Sequence, residues 1–241
     1  MAAVKLLETS NLSRHFGGLA AVANMDFSLA EGEIRAIIGP NGAGKTTFVG
    51  LIAGRIPPSS GRIAFMGEDI TGLPAFQRVR RGIAYTFQIT SIYAKLTVLE
   101  NVALASQGGR TRGASGVRPS PPLSYLEQVR LAGRSAQIAG TLSYGHQRLL
   151  EIAMGLALEP RLLILDEPTQ GLSDTEIADF VGLVQSIAKQ ATVLLIEHNM
   201  QVVMDTAHQI TVLDRGQVLA EGTPAQIRDN TAVQRAYLGT G

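Results

Sequence analysis

Gly39-Pro40-Asn41-Gly42-Ala43-Gly44-Lys45-Thr46-Thr47 decides the fold. The stretch fits G-x-x-x-x-G-K-[ST], whose glycines let backbone N–H groups turn inward around a polyphosphate. Ile34 to Ile38 before it reads as a buried strand, and Phe48 to Ala53 after it as the start of a helix. Strand, loop and helix are the context the pattern needs. The helix aims its positive dipole end at the same anion. Lys45 then reaches the outer phosphates, and the Thr46 hydroxyl sits on Mg²⁺. A plain glycine-rich turn between two core elements would not need the full pattern with both flanks. The expectation is a site for a nucleoside triphosphate.

Other stretches complete such a site. Arg161 to Leu165 is a continuous apolar run, the mark of a parallel strand covered on both faces, and it ends in Asp166-Glu167. Carboxylates there are costly unless solvated or met by a cation. Asp166 suits Mg²⁺, and Glu167 suits a base that orients and deprotonates water. Thr192 to Ile196 is a second such run, ending in Glu197-His198-Asn199. A lone histidine is more often structural, but His198 stands at a strand end, where open α/β sheets place their ligands. Gly82 to Phe87 reads as a strand ending at Gln88, either a surface group or one that sees Mg²⁺ and the water. In Leu142-Ser143-Tyr144-Gly145-His146-Gln147, Ser143 is a natural N-cap. That stretch is a capped helix or a second anion site; the residues leave both open. Phe16, before Gly17-Gly18, is a core plug at a turn or a ring for a base to stack on.

The rest of the chain frames these stretches. With 241 residues, 45% hydrophobic and 17% charged, it can build one large core. A net charge of +1 points to no nucleic acid partner. The lack of cysteine excludes disulfides and thiolate metal sites. No apolar run approaches the ~20 residues of a membrane span, and the N-terminus lacks a signal-peptide pattern, so a cytosolic protein is expected. Val4 to Glu8, Met25 to Leu29 and Arg62 to Met66 read as strands, and Leu73 to Arg81 as a short basic helix. Thr97 to Glu100 and Ser173 to Glu176 are capping boxes. Ser106 to Leu123 is rich in Gly and Pro and reads as a flexible linker, its Arg110, Arg112 and Arg118 solvated. Leu123 to Leu131 can form an amphipathic helix. Gln209 to Ala220 reads as a hairpin, followed by a helix that starts at Thr223-Pro224.

Taken together, these motifs resemble the ATP-binding cassette family over nearly the whole chain. Gly39 to Thr47 corresponds to the P-loop, Gln88 to the Q-loop, Leu142 to Gln147 to the signature, Leu162 to Glu167 to the Walker B strand and His198 to the switch histidine. Phe16 matches the adenine-stacking aromatic. Leu142 to Ala153, and the closing Gly222-Thr223-Pro224 and Ala236-Tyr237-Leu238-Gly239, look like the first of two ATPase subunits of branched-chain amino acid importers. The resemblance implies a single α/β domain, residues 1–241. Its P-loop core has a mainly parallel sheet, with an antiparallel β subdomain, a helical lobe over about 89–158 and a C-terminal hairpin and helix over about 209–241. It implies ATP and Mg²⁺ as ligands, with Thr46, Gln88 and Asp166 on the metal. It implies Glu167, His198 and Gln88 as the catalytic set. A second ATPase chain is expected head to tail, offering Ser143, Tyr144, Gly145 and Gln147 to the nucleotide across the pair. Permease subunits would hold the protein peripherally at the inner face of the cell membrane.

This sequence departs from the family in two places. Tyr144 replaces the first of the two glycines that usually follow the serine, as is common in this subfamily. The stretch from Asn101 to Thr141 is shorter than in that subfamily. Three rival classes remain: a P-loop small-molecule kinase, a soluble cassette protein of translation or repair, and a module that binds without hydrolysis. The signature and His198 speak against the first. A single cassette without a long coiled-coil insert speaks against the second, and intact Glu167 and His198 against the third.

Overall fold

Alternation along the strands shows how the chain is layered. The computed structural model describes residues 5–86, 91–109 and 120–238. In chain order its elements are β1 (Lys5–Phe16), β2 (Leu19–Ala30), β3 (Ile34–Ile38), α1 (Lys45–Ile52), β4 (Ser60–Phe65), β5 (Glu68–Asp69), α2 (Ala75–Arg81) and β6 (Ile83–Tyr85). Then come α3 (Val98–Gly109), α4 (Pro122–Gln128), α5 (Tyr144–Leu156), β7 (Leu162–Asp166), α6 (Asp174–Ile187) and β8 (Thr192–Ile196). The chain closes with α7 (Met200–Thr206), β9 (Gln209–Asp214), β10 (Gln217–Gly222), α8 (Pro224–Arg228) and α9 (Thr231–Leu238). Six strands form one sheet in the order β10-β9-β3-β8-β7-β6, parallel except for the β9–β10 hairpin. A separate antiparallel sheet has the order β2-β1-β4-β5.

The large sheet is covered on both faces. Leu163 and Leu165 of β7, with Val193 and Leu195 of β8, pack into one core beneath α3, α4, α5 and α6. Leu162, Ile164, Leu194 and Ile196 enter the opposite core, with Phe48 and Val49 of α1 and the inner face of the antiparallel sheet. This double coverage explains why β7 and β8 read as unbroken apolar runs. Each fully buried Leu or Ile contributes on the order of 1.5–3 kcal/mol.

Several boundaries differ from the sequence expectation. β1 and β2 run on to a tight hairpin at Gly17-Gly18, where Phe16 pairs with Leu19. Phe16 therefore belongs to a strand end, and the cross-strand ladder keeps both strands extended beyond their apolar segments. Ser106 lies inside α3, and Pro122 and Leu123 open α4, so helix occupies both ends of the expected linker. The three linker arginines lie outside the described residues. Two short helices, rather than one, follow the C-terminal hairpin. The Thr97 capping box is formed: Glu100 Oε2 accepts from Thr97 N at 2.7 Å and from Thr97 Oγ1 at 2.8 Å.

Candidate functional site

Register brings the candidate residues to one edge. Ile37 of β3 and Asp166 of β7 both lie opposite Ile196 of β8. The three parallel strands therefore end together, releasing Gly39, Glu197-His198 and Glu167 at the C-terminal edge of the sheet. β8 separates the loop strand from the carboxylate strand by two strand spacings, about 10 Å.

The loop is built from backbone. Gly39 has φ +151° and Gly44 has φ +97°, conformations that disfavour any side chain. Space forbids one as well: a Cβ at Gly39 would lie 2.2 Å from the Leu213 carbonyl oxygen, and one at Gly44 2.3 Å from that of Ala21. Ala43 is buried, while Asn41, Gly42 and Thr46 are exposed and Thr47 is half-buried. Ser143, Ser173, Asn199 and Thr223 each cap a helix, whereas α1 begins at Gly44 with no side-chain cap, as do α2 at Pro74 and α4 at Pro121. The leading N–H groups of α1 thus face the loop as donors for an anion. Lys45 Nζ donates to the carbonyls of Gly39 at 2.6 Å and Pro40 at 3.1 Å. Burial pushes the Lys45 ammonium below the usual lysine range, while the charges of Glu167 and Asp166 push it back up. Lysine and carboxylates therefore share one field.

Asp166 is buried, and Tyr85 at the end of β6 donates its hydroxyl to Asp166 Oδ2 at 2.5 Å. Burial raises the Asp166 carboxyl above the usual range; the Tyr85 bond lowers it and the Glu167 charge raises it further. The Arg55 guanidinium lies 5.0 Å from the centre of the Tyr85 ring. Burial, followed by the bond to Asp166, drives the Tyr85 hydroxyl well above the usual phenol range. Glu167 is half-buried and adopts φ +47°, a left-handed backbone rare for a residue with a side chain. That turn carries the chain out of β7 along the sheet edge.

His198 follows β8 with its side chain 63% exposed. The preceding Glu197 is buried and accepts from Thr169 N and Oγ1, His198 N and Asn199 N. Sequence reasoning noted Glu197 without assigning it a part, and passed over Tyr85. The desolvation argument used for Asp166-Glu167 applies equally to a carboxylate closing the apolar run of β8, so Glu197 carried a signal. Tyr85 had none, because its partner is set by the β6–β7 pairing.

The remaining candidates lie on other elements. Phe16 is 46% exposed at the hairpin tip, with the Arg14 guanidinium 4.5 Å from its ring centre. Ser143 caps α5, accepting from His146 N at 3.3 Å, and its hydroxyl lies 2.7 Å from His146 Nδ1. Tyr144 is exposed, Gly145 packs against Leu172 and Glu176, and Gln147 donates to the Leu142 carbonyl at 3.0 Å. Among the described residues no hydrogen bond or ion pair joins 143–147 to 39–47. Gln88 lies outside the described residues.

A glycine loop opening an uncapped helix, with two carboxylates at the end of a strand two places away, defines a P-loop protein of the α/β class. The chain belongs to the ABC transporter family: that family's model matches residues 22–170. A model described as branched-chain amino acid ATP-binding cassette transporter matches residues 217–241. The chain is 40% identical to the high-affinity branched-chain amino acid transport ATP-binding protein BraF of Pseudomonas aeruginosa, covering 97% of this chain and 98% of the relative. It is 39% identical to LivG, of the same description, from Escherichia coli K12, with the same coverage. It is 31% identical to the lipopolysaccharide export system ATP-binding protein LptB of Haemophilus influenzae, covering 98% of each chain. A crystal structure of an ATP-binding cassette of an ABC transporter in its ADP conformation superposes with a TM-score of 0.86 at 28% identity, covering 98% of this chain and 99% of the other. With that membership the chain is a transporter ATPase.

Proposed function

We propose that the chain is the ATP-hydrolysing subunit of an ABC importer for branched-chain amino acids or related small polar solutes, working in a head-to-tail pair beneath a permease. The observation that supports the chemistry is the shared edge: Ile37 and Asp166 both lie opposite Ile196, so the loop that carries Lys45 and the Asp166-Glu167 pair open at the same end of the sheet. The cargo class is supported by likeness to BraF and LivG along nearly the whole chain, joined by the match at 217–241. The likeness to an export ATPase favours a second reading, an exporter subunit, less strongly.

On this reading the P-loop N–H groups and Lys45 hold the phosphates, and Phe16 stacks on adenine. Among the described residues no group of three or more His, Cys, Asp or Glu converges on a metal position. That suits Mg²⁺ beside phosphates, which takes one or two protein oxygens and fills the rest with phosphate and water. Thr46 and the buried Asp166 fit the part, since Asp166 carries a charge that burial disfavours; Gln88 is proposed as a further ligand. Bound there, Mg²⁺ would neutralise the charge that develops on the phosphates. Glu167 orients and deprotonates the attacking water, and His198 contacts the γ-phosphate. The capped N-terminus of α5, with Ser143, Tyr144, Gly145 and Gln147, serves the partner's nucleotide. Among the described residues no helix is long and apolar enough to cross a membrane, so attachment to the inner face would come through the permease.

The test is co-expression with candidate permeases and reconstitution into liposomes with the matching binding protein. The expected result is slow ATP turnover by the isolated chain and a severalfold rise when the binding protein carries leucine, isoleucine or valine. Fast turnover that ignores the permease, or stimulation by an exported lipid alone, would reject the importer.

A further inference from the structure

Glu197 stands outside the roles assigned above, yet its carboxylate is fully buried. A charge so placed survives only if every lone pair is used. Its two oxygens are used by two different loops. Oε1 accepts from Thr169 N at 3.1 Å and from the Thr169 hydroxyl. Oε2 accepts from His198 N at 2.8 Å and Asn199 N at 2.9 Å. The carboxylate is thus a bridge with one end on each side of the β7–β8 boundary.

Each end is close to a proposed reacting group. Thr169 follows Glu167 after the stiff Pro168, and Gln170 N donates back to the Glu167 carbonyl at 3.3 Å. Holding Thr169 therefore holds the tight turn that keeps Glu167 at φ +47°. On the other side, the His198 side chain is 63% exposed but its Nδ1 lies 3.8 Å from Glu197 Oε2, so the carboxylate meets the ring as well as the backbone of His198. That backbone N–H is donated to Glu197. Four hydrogen bonds to an ionised acceptor, in a site sealed from water, are strong and directional. An apolar residue could close β8 without a desolvation cost, but it could not tie the loops together.

We propose that Glu197 is a positioning residue that clamps the His198 loop to the loop leaving Glu167, so that the groups facing the γ-phosphate move as one unit. This rests on the assignment of His198 and Glu167 made above. Glutamine at this position keeps the size but offers one acceptor oxygen, and its NH₂ would face the donors of one loop. Facing His198 N and Asn199 N, the NH₂ would meet donors only and that side would be cut; facing Thr169, it could donate to the rotated hydroxyl and would leave only Thr169 N unpaired.

The experiment compares Glu197→Gln, His198→Ala and the double variant, with kcat, ATP affinity and thermal unfolding measured on each. The expected result for Glu197→Gln is a fall in kcat of about tenfold or more with ATP affinity within about twofold, because misplacement costs rate more than ground-state binding. In the His198→Ala background the same change should cost less than about twofold further, since groups acting as a unit are not additive. An unchanged kcat in Glu197→Gln, or losses that simply multiply in the double variant, would overturn the clamp. If kcat falls in step with ATP affinity and folded fraction, the residue is merely structural and the inference fails. Should Glu197→Gln not fold, Thr169→Val removes a single hydroxyl bond, and a wild-type kcat there overturns the inference. A wild-type kcat in His198→Ala alone would instead sink the assignment beneath it. Reduced kcat in His198→Ala beside normal Glu197→Gln would spare that assignment and reject only the clamp.

Discussion

Lys45 and Glu167 share a field but should fail in different ways when removed. On the proposed reading Lys45 faces the nucleotide, so Lys45→Ala should weaken ATP binding by tenfold or more, about 1.4 kcal/mol at least. A fluorescence titration with unchanged affinity would count against its role. On the same reading Glu167 faces the attacking water, so Glu167→Gln should bind ATP normally and lose nearly all turnover. A titration paired with single-turnover hydrolysis separates the two, and substantial hydrolysis by Glu167→Gln would assign the base elsewhere. The backbone of Glu167 adds a constraint that Gln satisfies equally, because φ +47° depends on the surrounding turn rather than on the charge.

Among the elements, α6 and α1 show how termini set the site. Ser173 and Glu176 form a reciprocal box at the start of α6, beside Gly145 of the signature stretch. Hydrogen bonds from Ser173 hold the half-buried Glu176 carboxyl below its usual range. Because its folded pKa is depressed, the box's contribution is present above the ordinary carboxylate pKa and lost as pH falls through the folded one. Ser173→Ala should cost about 0.5–2 kcal/mol at neutral pH, with the difference from wild type narrowing under acid. Urea unfolding at both pH values tests this; an equal cost at low pH would argue against the box. At the other end of α1, the buried Arg78 donates to the carbonyls of Leu51 at 2.7 Å and Ile52 at 2.8 Å, and also to those of Thr71 and Leu73. Arg78 thereby closes the loop helix and ties α2 to it. Arg78→Met removes the donor from the Ile52, Thr71 and Leu73 carbonyls, while Leu51 keeps Gly54 N at 3.2 Å, and should destabilise by about 3 kcal/mol or more. A change in melting temperature of less than about 2 °C would contradict that estimate.

For the whole molecule, the feature with consequences is that, among the described residues, the polar groups of 143–147 bond locally rather than to the P-loop. If the signature serves a partner, Glu167→Gln should form an ATP-dependent pair, because losing its charge relieves repulsion with the γ-phosphate. Adding Ser143→Arg should abolish the pair while ATP stays bound to the monomer. Size-exclusion chromatography with light scattering and a nucleotide count per chain reads both. A Glu167→Gln chain that stays monomeric even when mixed with its paralogous ATPase would sink the paired mechanism. The Phe16 hairpin belongs to this scale too, since β2 lies against Gly44 and Gly216 and so ties the antiparallel sheet to the loop.

What could be read from the sequence was local. The loop pattern, the apolar runs of β7 and β8 and the caps at Thr97, Ser143, Ser173 and Thr223 are written in neighbouring residues. Glycine permissiveness, strand coverage and orphan helix donors act over a few positions. The α/β class and the family followed from them. Tertiary structure decided what depends on strand order. Placing β8 between β3 and β7 put His198 between the P-loop and the carboxylates. Pairing β6 with β7 gave Asp166 its Tyr85 partner, and bringing Thr169 beside β8 turned Glu197 into a bridge. These contacts join residues 28 to 81 positions apart, and their energies depend on burial that exists only once the sheet has formed.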